Sequence, residues 1–124
     1  MEKTEILARV DHTALKSTAT WEDIRLLCEE AVEYKTASVC IPPSYLKRAR
    51  AAFPQLNLCT VIGFPLGYST TASKVFETKD AVIGSDVKIK AAGGIRTQEA
   101  MEAFCQAGCS RIGCSAAIKA LCGK

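Results

Sequence analysis

The chain has 124 residues, with 48% hydrophobic and 23% charged, which is the balance of one ordinary globular domain long enough to bury a core without metals or disulfides. Its net charge of +3 comes without a basic tract, and its few aromatics are scattered rather than interleaved with Arg or Lys, which argues against nucleic acid as a partner. Glu2, Lys3, Thr4 and Glu5 precede only a short apolar run, unlike a secretory leader, and no stretch approaches the length of a membrane span, so a cytoplasmic location without membrane contact is expected.

After a short N-terminal segment, a strand is predicted around Arg9 to Ala14. Thr20 then caps a helix, with Asp23 three residues on as the second half of a capping box. Trp21, Ile24, Leu27, Cys28, Ala31 and Val32 recur at helical spacing and form its apolar stripe. Ala37 to Ile41 is a short buried strand stopped by Pro42-Pro43, and Ser44 is expected to cap a helix running to about Phe53. Leu58 to Gly63 reads as another buried strand, followed by a loop over Phe64 to Tyr68. Thr70 to Val82 should be helical, with Lys74 and Lys79 on its wet side.

Ile83 to Asp86 is a turn into a lysine-bearing strand. Thr97 caps a helix whose core face is Ala100, Phe104 and Ala107, ended by Gly108. Ser110 to Gly113 is the last strand, and Ser115 opens a final short helix. Short apolar strands separated by helices, with no linker or low-complexity segment, predict a single parallel α/β domain over residues 1–124.

The seven cysteines are an odd number, which fits reduced thiols rather than a disulfide framework. Cys40, Cys59 and Cys114 sit in strand-like apolar contexts, where a free cysteine behaves as a small hydrophobe. Cys105 and Cys109 are separated by the predicted helix stop at Gly108, no Cys-x-x-Cys is present, and His12 is the lone histidine. No metal site is expected from that ligand spacing.

The segment Val87 to Thr97 carries the most chemistry. Lys88 and Lys90 are two apart, so on a strand both leave the same face. A lysine crowded by another cation, or shielded from water, favours the neutral amine that can act as nucleophile or proton shuttle. Strand lysines are also ordinary solvated edge residues that discourage aggregation, and the small Ala-Ala-Gly-Gly flank is what tilts the reading toward a site. Gly93 and Gly94 let backbone N–H groups approach a ligand, and the helix start that follows favours an anion. Arg111 to Ala116 repeats that logic: strand, Gly113, then Ser115 with a hydroxyl donor at a helix start, although serine begins many helices with no ligand at all. In eight-unit βα barrels, phosphate binds at the loops after the last two strands.

Asp11, at the end of the first strand, is a carboxylate that could orient an amine or relay a proton. An Asp that caps a turn through Thr13 is the plainer alternative.

Five segments, Asp11 to Thr13, Ala37 to Pro43, Val61 to Gly67, Val87 to Thr97 and Arg111 to Ser115, occur in the order of 2-deoxyribose-5-phosphate aldolase, which the chain resembles. The resemblance implies a shortened TIM (β/α)8-type barrel, a parallel βα-repeat sheet that retains about five βα units. It further implies a class I aldolase reaction: reversible cleavage of 2-deoxyribose 5-phosphate to glyceraldehyde 3-phosphate and acetaldehyde, through a lysine imine and with no cofactor or metal. By position, Lys90 matches the lysine that neighbours the imine-forming one, and Gly93, Gly94 and Ser115 match phosphate contacts, with Gly113 in the same turn. Asp11 matches a carboxylate near the rim, while Thr13 and Cys40, with Lys88, line the interior. Ala116 stands where some members have a second serine.

The resemblance breaks after Val82. The family continues through three further strands, whereas this chain passes to Ile83-Gly84-Ser85-Asp86 and the lysine strand. The imine-forming lysine and the catalytic aspartate go with the missing segment. Five strands cannot close with the tilt and packing that suit eight. An open sheet face carrying Val39, Ile41 or their alternating neighbours is then expected, and a homo-oligomer that buries it. Three readings follow: an aldolase by descent with weakened chemistry, a non-catalytic sugar-phosphate binder, and a barrel fragment that assembles with another chain.

Overall fold

Hydrogen bonding within the first turns decides where the helices of this chain begin. The computed structural model describes residues 1–82, 88–92, 96–109, 111–113 and 121–122. The chain divides into two compact units, Met1–Thr60 and Val61–Lys124.

In the first unit the elements are α1 (Lys3–Leu7), β1 (Asp11–Thr13), α2 (Trp21–Tyr34), β2 (Ser38–Cys40), a 3₁₀ turn (Pro43–Tyr45), α3 (Leu46–Ala52) and β3 (Leu58–Thr60). The short N-terminal segment is thus helical, with the Glu2 N–H donating to the Glu5 carboxylate at 3.0 Å. Thr20 caps α2 as expected: its hydroxyl accepts from the Asp23 N–H at 3.3 Å, and the Asp23 carboxylate accepts from the Thr20 N–H at 2.9 Å. The helix ends at Lys35, whose φ of 54° is left-handed. Ser44 does not cap α3. The paired prolines begin a tight 3₁₀ turn, in which the Tyr45 N–H donates to the Pro42 carbonyl, and Tyr45 becomes the residue before α3.

The three strands are parallel in the order β1-β2-β3. His12, Val39 and Leu58 form one register row, and Thr13, Cys40 and Cys59 form the next. Because side chains alternate, these rows leave opposite faces. The first row lies beneath the helices: Val39 and Leu58 are buried with Ile24, Leu27, Cys28 and Ala31 of α2 and Leu46 and Ala49 of α3. Each large aliphatic side chain buried there contributes roughly 1.5–3 kcal/mol. Of the expected α2 stripe, Trp21 is half-buried and Val32 is exposed, so the buried face is narrower than the sequence implied. Trp21 instead carries the Arg48 guanidinium over its ring at 4.2 Å.

The second unit contains a loop, α4 (Thr71–Val82), β4 (Lys88–Ala92), α5 (Gln98–Gln106) and β5 (Arg111–Gly113). β4 and β5 pair in parallel, with Lys90 opposite Arg111 and Ala92 opposite Gly113. The Thr97 hydroxyl accepts from the Ala100 N–H at 3.2 Å and so caps α5. Its buried face is Met101, Phe104 and Ala107, not Ala100, which is half-buried. The i, i+3 spacing centres the stripe on Phe104. Gly108 ends the helix at φ +112°, and a Cβ there would sit 3.0 Å from a Val82 methyl, so glycine is also what lets α4 and α5 approach.

Lys74 is the main correction in this unit. Lys79 is exposed as expected, but Lys74 is 4% exposed on the inner side of α4. Its stem lies against Gly63, and its ammonium has a carbonyl and an aromatic ring as partners, which is how a long cationic side chain tolerates burial. Strand, helix and parallel strand recur along the chain, and the fold is α/β. Among the described residues no helix is long and apolar enough to cross a membrane.

Candidate functional site

In the first unit the side of the sheet away from Val39 and Leu58 carries short side chains, three of them bearing hydrogen-bonding oxygens. Asp11, Thr13, Ser38, Cys40 and Cys59 share it through register and alternation. Of the side chains expected at an open face, Val39 is on the helix-covered side, and its alternating neighbours Ser38 and Cys40 take that place. The Ser38 hydroxyl donates to the Asp11 carboxylate at 2.5 Å, a short charge-assisted bond. The Thr13 hydroxyl donates to the Asp11 carbonyl at 2.8 Å. The Asp11–Thr13 link therefore exists, but it runs through the main chain and leaves the carboxylate to Ser38. Ser38 was not singled out from the sequence, although its position two before Cys40 places it on the same face.

Thr13 and Cys40, both assigned to the interior, are direct register partners. Cys40 is buried, and its thiol is pushed far above the ordinary thiol range, first by its hydrogen bond with Cys59, then by burial and by the charges of Cys59 and Asp11. It is held as the protonated thiol. An exposed carboxylate beside two hydroxyls is an acceptor-rich surface suited to the hydroxyl groups of a polyol.

In the second unit Lys88 and Lys90 both lie on β4, two residues apart. β4 ends at Ala92 and β5 at Gly113, which are register partners, so the two strands end at the same end of a parallel pair. Gly93, Gly94 and Ser115, the remaining phosphate candidates, lie outside the described residues. So do Ala116 and Cys114, the expected turn at Ile83 to Asp86 and the opening of the last helix at Ser115.

Residues 63–67 form a tight loop within the region where the sequence predicts one over Phe64 to Tyr68. The Gly67 N–H donates to the Gly63 carbonyl at 2.6 Å, both glycines have φ of +67°, and Phe64-Pro65 is cis. Two side chains of α4 hold it: Lys74 Nζ donates to the Gly67 carbonyl at 3.1 Å, and Glu77 accepts from the Gly63 N–H at 3.0 Å. Lys74 and Glu77 are three apart, the signal that could have paired them on one helix face. Among the described residues no three of His, Cys, Asp and Glu gather as a metal site.

Parallel βα repeats of this kind define an α/β chain of barrel type, and solved structures share the fold. A tetrameric deoxyribose phosphate aldolase from Aeropyrum pernix matches at a TM-score of 0.75 and 22% identity, over 88% of this chain and 52% of that one. A putative deoxyribose-phosphate aldolase from Coccidioides immitis matches at 0.62 and 23%, over 96% of this chain and 85% of that one. No family model matches the chain.

The curated relatives are more specific. The deoxyribose-phosphate aldolase of Clostridioides difficile is 65% identical over 78 residues, 62% of this chain and 36% of that protein. Its counterpart from Clostridium botulinum strain Eklund 17B is 54% identical over 83 residues, 66% of this chain and 38% of that protein. The chain is similar to these two over about two thirds of its own length, and it spans little more than a third of theirs. That partial span agrees with a barrel sequence lacking part of its length.

Proposed function

We propose that this chain is a shortened aldolase-type βα protein that takes a phosphorylated sugar of the 2-deoxyribose 5-phosphate class, with little or no turnover by the chain alone. The observation that carries the reading is the 65% identity over 78 residues to an aldolase of that name. In this reading the phosphate sits at the turns that follow β4 and β5, held by backbone N–H groups around Gly93, Gly94 and Gly113 and by the Ser115 hydroxyl. Two parallel strand ends in register, at Ala92 and Gly113, support a two-sided anion cradle at that end.

Lys90, with Lys88 beside it in sequence, is the candidate amine, and Asp11 the candidate carboxylate. By the resemblance, Lys90 corresponds to the lysine that lowers the pKa of the imine-forming one, and the latter falls in the missing segment. An isolated lysine in water titrates near roughly 10.4, so only a small fraction is neutral at neutral pH. Chemistry through an imine on Lys90 is therefore slow or absent. The chain is a homo-oligomer in this reading, with the Asp11 face of β1-β2-β3 closed by another copy.

Calorimetry with 2-deoxyribose 5-phosphate, paired with borohydride trapping and mass spectrometry, tests the proposal. Binding that is lost in Ser115→Ala, with no trapped adduct, is the expected result. A stoichiometric adduct on Lys90 overturns the statement about turnover, and absence of any binding overturns the reading as a whole.

A further inference from the structure

Cys40 and Cys59 stand opposite each other on neighbouring parallel strands, and the Cys59 Sγ donates to the Thr60 carbonyl at 3.7 Å. Neither is in a disulfide. Adjacent parallel strands lie about 4.8 Å apart, inside the Cα separation of roughly 4.4–6.8 Å that a disulfide spans. Register partners in a parallel ladder project from the same face, so their Cβ vectors run side by side rather than diverging. The pair differs in access: Cys40 is buried, while Cys59 is partly open. The other described cysteines lack this arrangement. Cys28 is buried in α2, and Cys105 and Cys109 flank the end of α5, the first exposed and the second beside Thr78.

We propose that Cys40 and Cys59 are a thiol-oxidation site, which a small disulfide such as oxidised glutathione converts to an intrachain disulfide joining β2 to β3. The more open Cys59 reacts first. Its sulfur, as thiolate, attacks one sulfur of the small disulfide, the S–S bond of the reagent breaks, and the first small thiol leaves with the proton Cys59 has shed. Cys59 is then a mixed disulfide, with Cys40 as its register partner across the strand pair. The Cys40 sulfur attacks the Cys59 sulfur, and the second small thiol leaves with the Cys40 proton. In sum, two protein thiols and one small disulfide become one protein disulfide and two small thiols, with two electrons passing to the reagent. The bridge lies in the same row as Thr13, and Asp11 shares its face. Oxidation therefore acts on that face of this unit and leaves the helix-covered core alone.

The site is independent of the function proposed above, and its test needs no substrate. The full chain is equilibrated with mixtures of oxidised and reduced glutathione, blocked with iodoacetamide, and digested with trypsin without reduction. Cleavage after Lys35, Lys47, Arg50 and Lys74 separates Cys40, in peptide 36–47, from Cys59, in peptide 51–74. The expected product is these two peptides joined, two hydrogens lighter than their sum, and separated by dithiothreitol. Cys40→Ser should instead trap glutathione on Cys59, and Cys59→Ser should leave Cys40 unmodified. A disulfide dominated by another pair, such as Cys105 with Cys109 inside the single peptide 97–111, overturns the proposal. So does quantitative alkylation of both Cys40 and Cys59 in the wild-type chain under oxidising mixtures, a readout that does not depend on either variant folding.

Discussion

Lys74 Nζ donates to the carbonyl oxygen of Gly67 at 3.1 Å from a position that is 4% exposed. The ammonium also lies 5.8 Å from the centroid of the Phe104 ring. Glu77, three residues on, anchors the other end of the same loop through the Gly63 N–H. Two side chains of one helix thereby fix both ends of a five-residue loop. Replacing Lys74 with Met keeps most of the apolar stem and removes the donor. Lys74→Met should lower stability by about 1.5–3 kcal/mol, the range for a hydrogen bond from a charged donor. A denaturant midpoint unchanged from wild type would remove Lys74 from this role.

Gly63 shares that loop at φ +67°, and a Cβ built there would lie 2.9 Å from Lys74 Cδ. Gly63→Ala combines a left-handed backbone penalty of roughly 1–2 kcal/mol with displacement of the lysine stem. It should destabilise the chain, and pairing it with Lys74→Met should cost less than the sum, because the more pliable thioether yields to the added methyl. A double-mutant cycle by urea unfolding measures that coupling.

The Thr20–Asp23 reciprocal cap satisfies helix-start N–H groups of α2. Thr20→Ala should cost about 1 kcal/mol, read as a lower denaturant midpoint. Thr20→Ser retains the oxygen and should stay close to wild type.

At the other end of α2, Lys35 adopts φ 54° without being glycine. Lys35→Gly relieves that conformation and should raise stability by up to about 1 kcal/mol after the extra entropy of the unfolded glycine is counted. Lys35→Val, whose branched side chain disfavours the left-handed region, should lower it.

Burial pushes the Cys28 thiol from 9.0 up to about 11, with the Glu29 carboxylate adding to the effect. The folded chain keeps a proton that the unfolded chain releases, so between these values the unfolded state binds fewer protons. The contribution is complete below pH 9.0 and is lost as pH rises toward about 11. Cys40, raised first by its hydrogen bond with Cys59, acts in the same direction. Urea midpoints measured across that alkaline window should fall more steeply for wild type than for Cys28→Ala. Parallel curves for the two proteins would contradict the assignment.

Much of the scaffold was readable because its signals are local. The Thr20 and Thr97 caps, the helix stop at Gly108 and the strand stop at Pro42-Pro43 each involve residues within a few positions of one another. The helix-covered row of the sheet was partly legible for the same reason, since an apolar strand between helices must bury at least one side. Ser44 was misassigned because the prolines before it impose a tighter turn than a serine cap would start. Of the site, Thr13 and Cys40 were named only through the family resemblance, as interior positions, and their pairing as register partners depends on strand register. Ser38 was passed over because a lone serine carries no signal of its own partner.

By itself the amino-acid sequence determined the parallel α/β class, the resemblance to deoxyribose-phosphate aldolases and most helix boundaries, because periodicity, caps and motif order are written along the chain. Only the tertiary structure decided that Asp11 belongs to Ser38, that Cys40 faces Cys59, and that Lys74 is buried beneath a glycine loop. Those outcomes depend on strand register and on side-chain reach between segments 7 to 27 residues apart. A one-residue slip would exchange the two faces of a strand without altering the composition or periodicity from which the sequence is read.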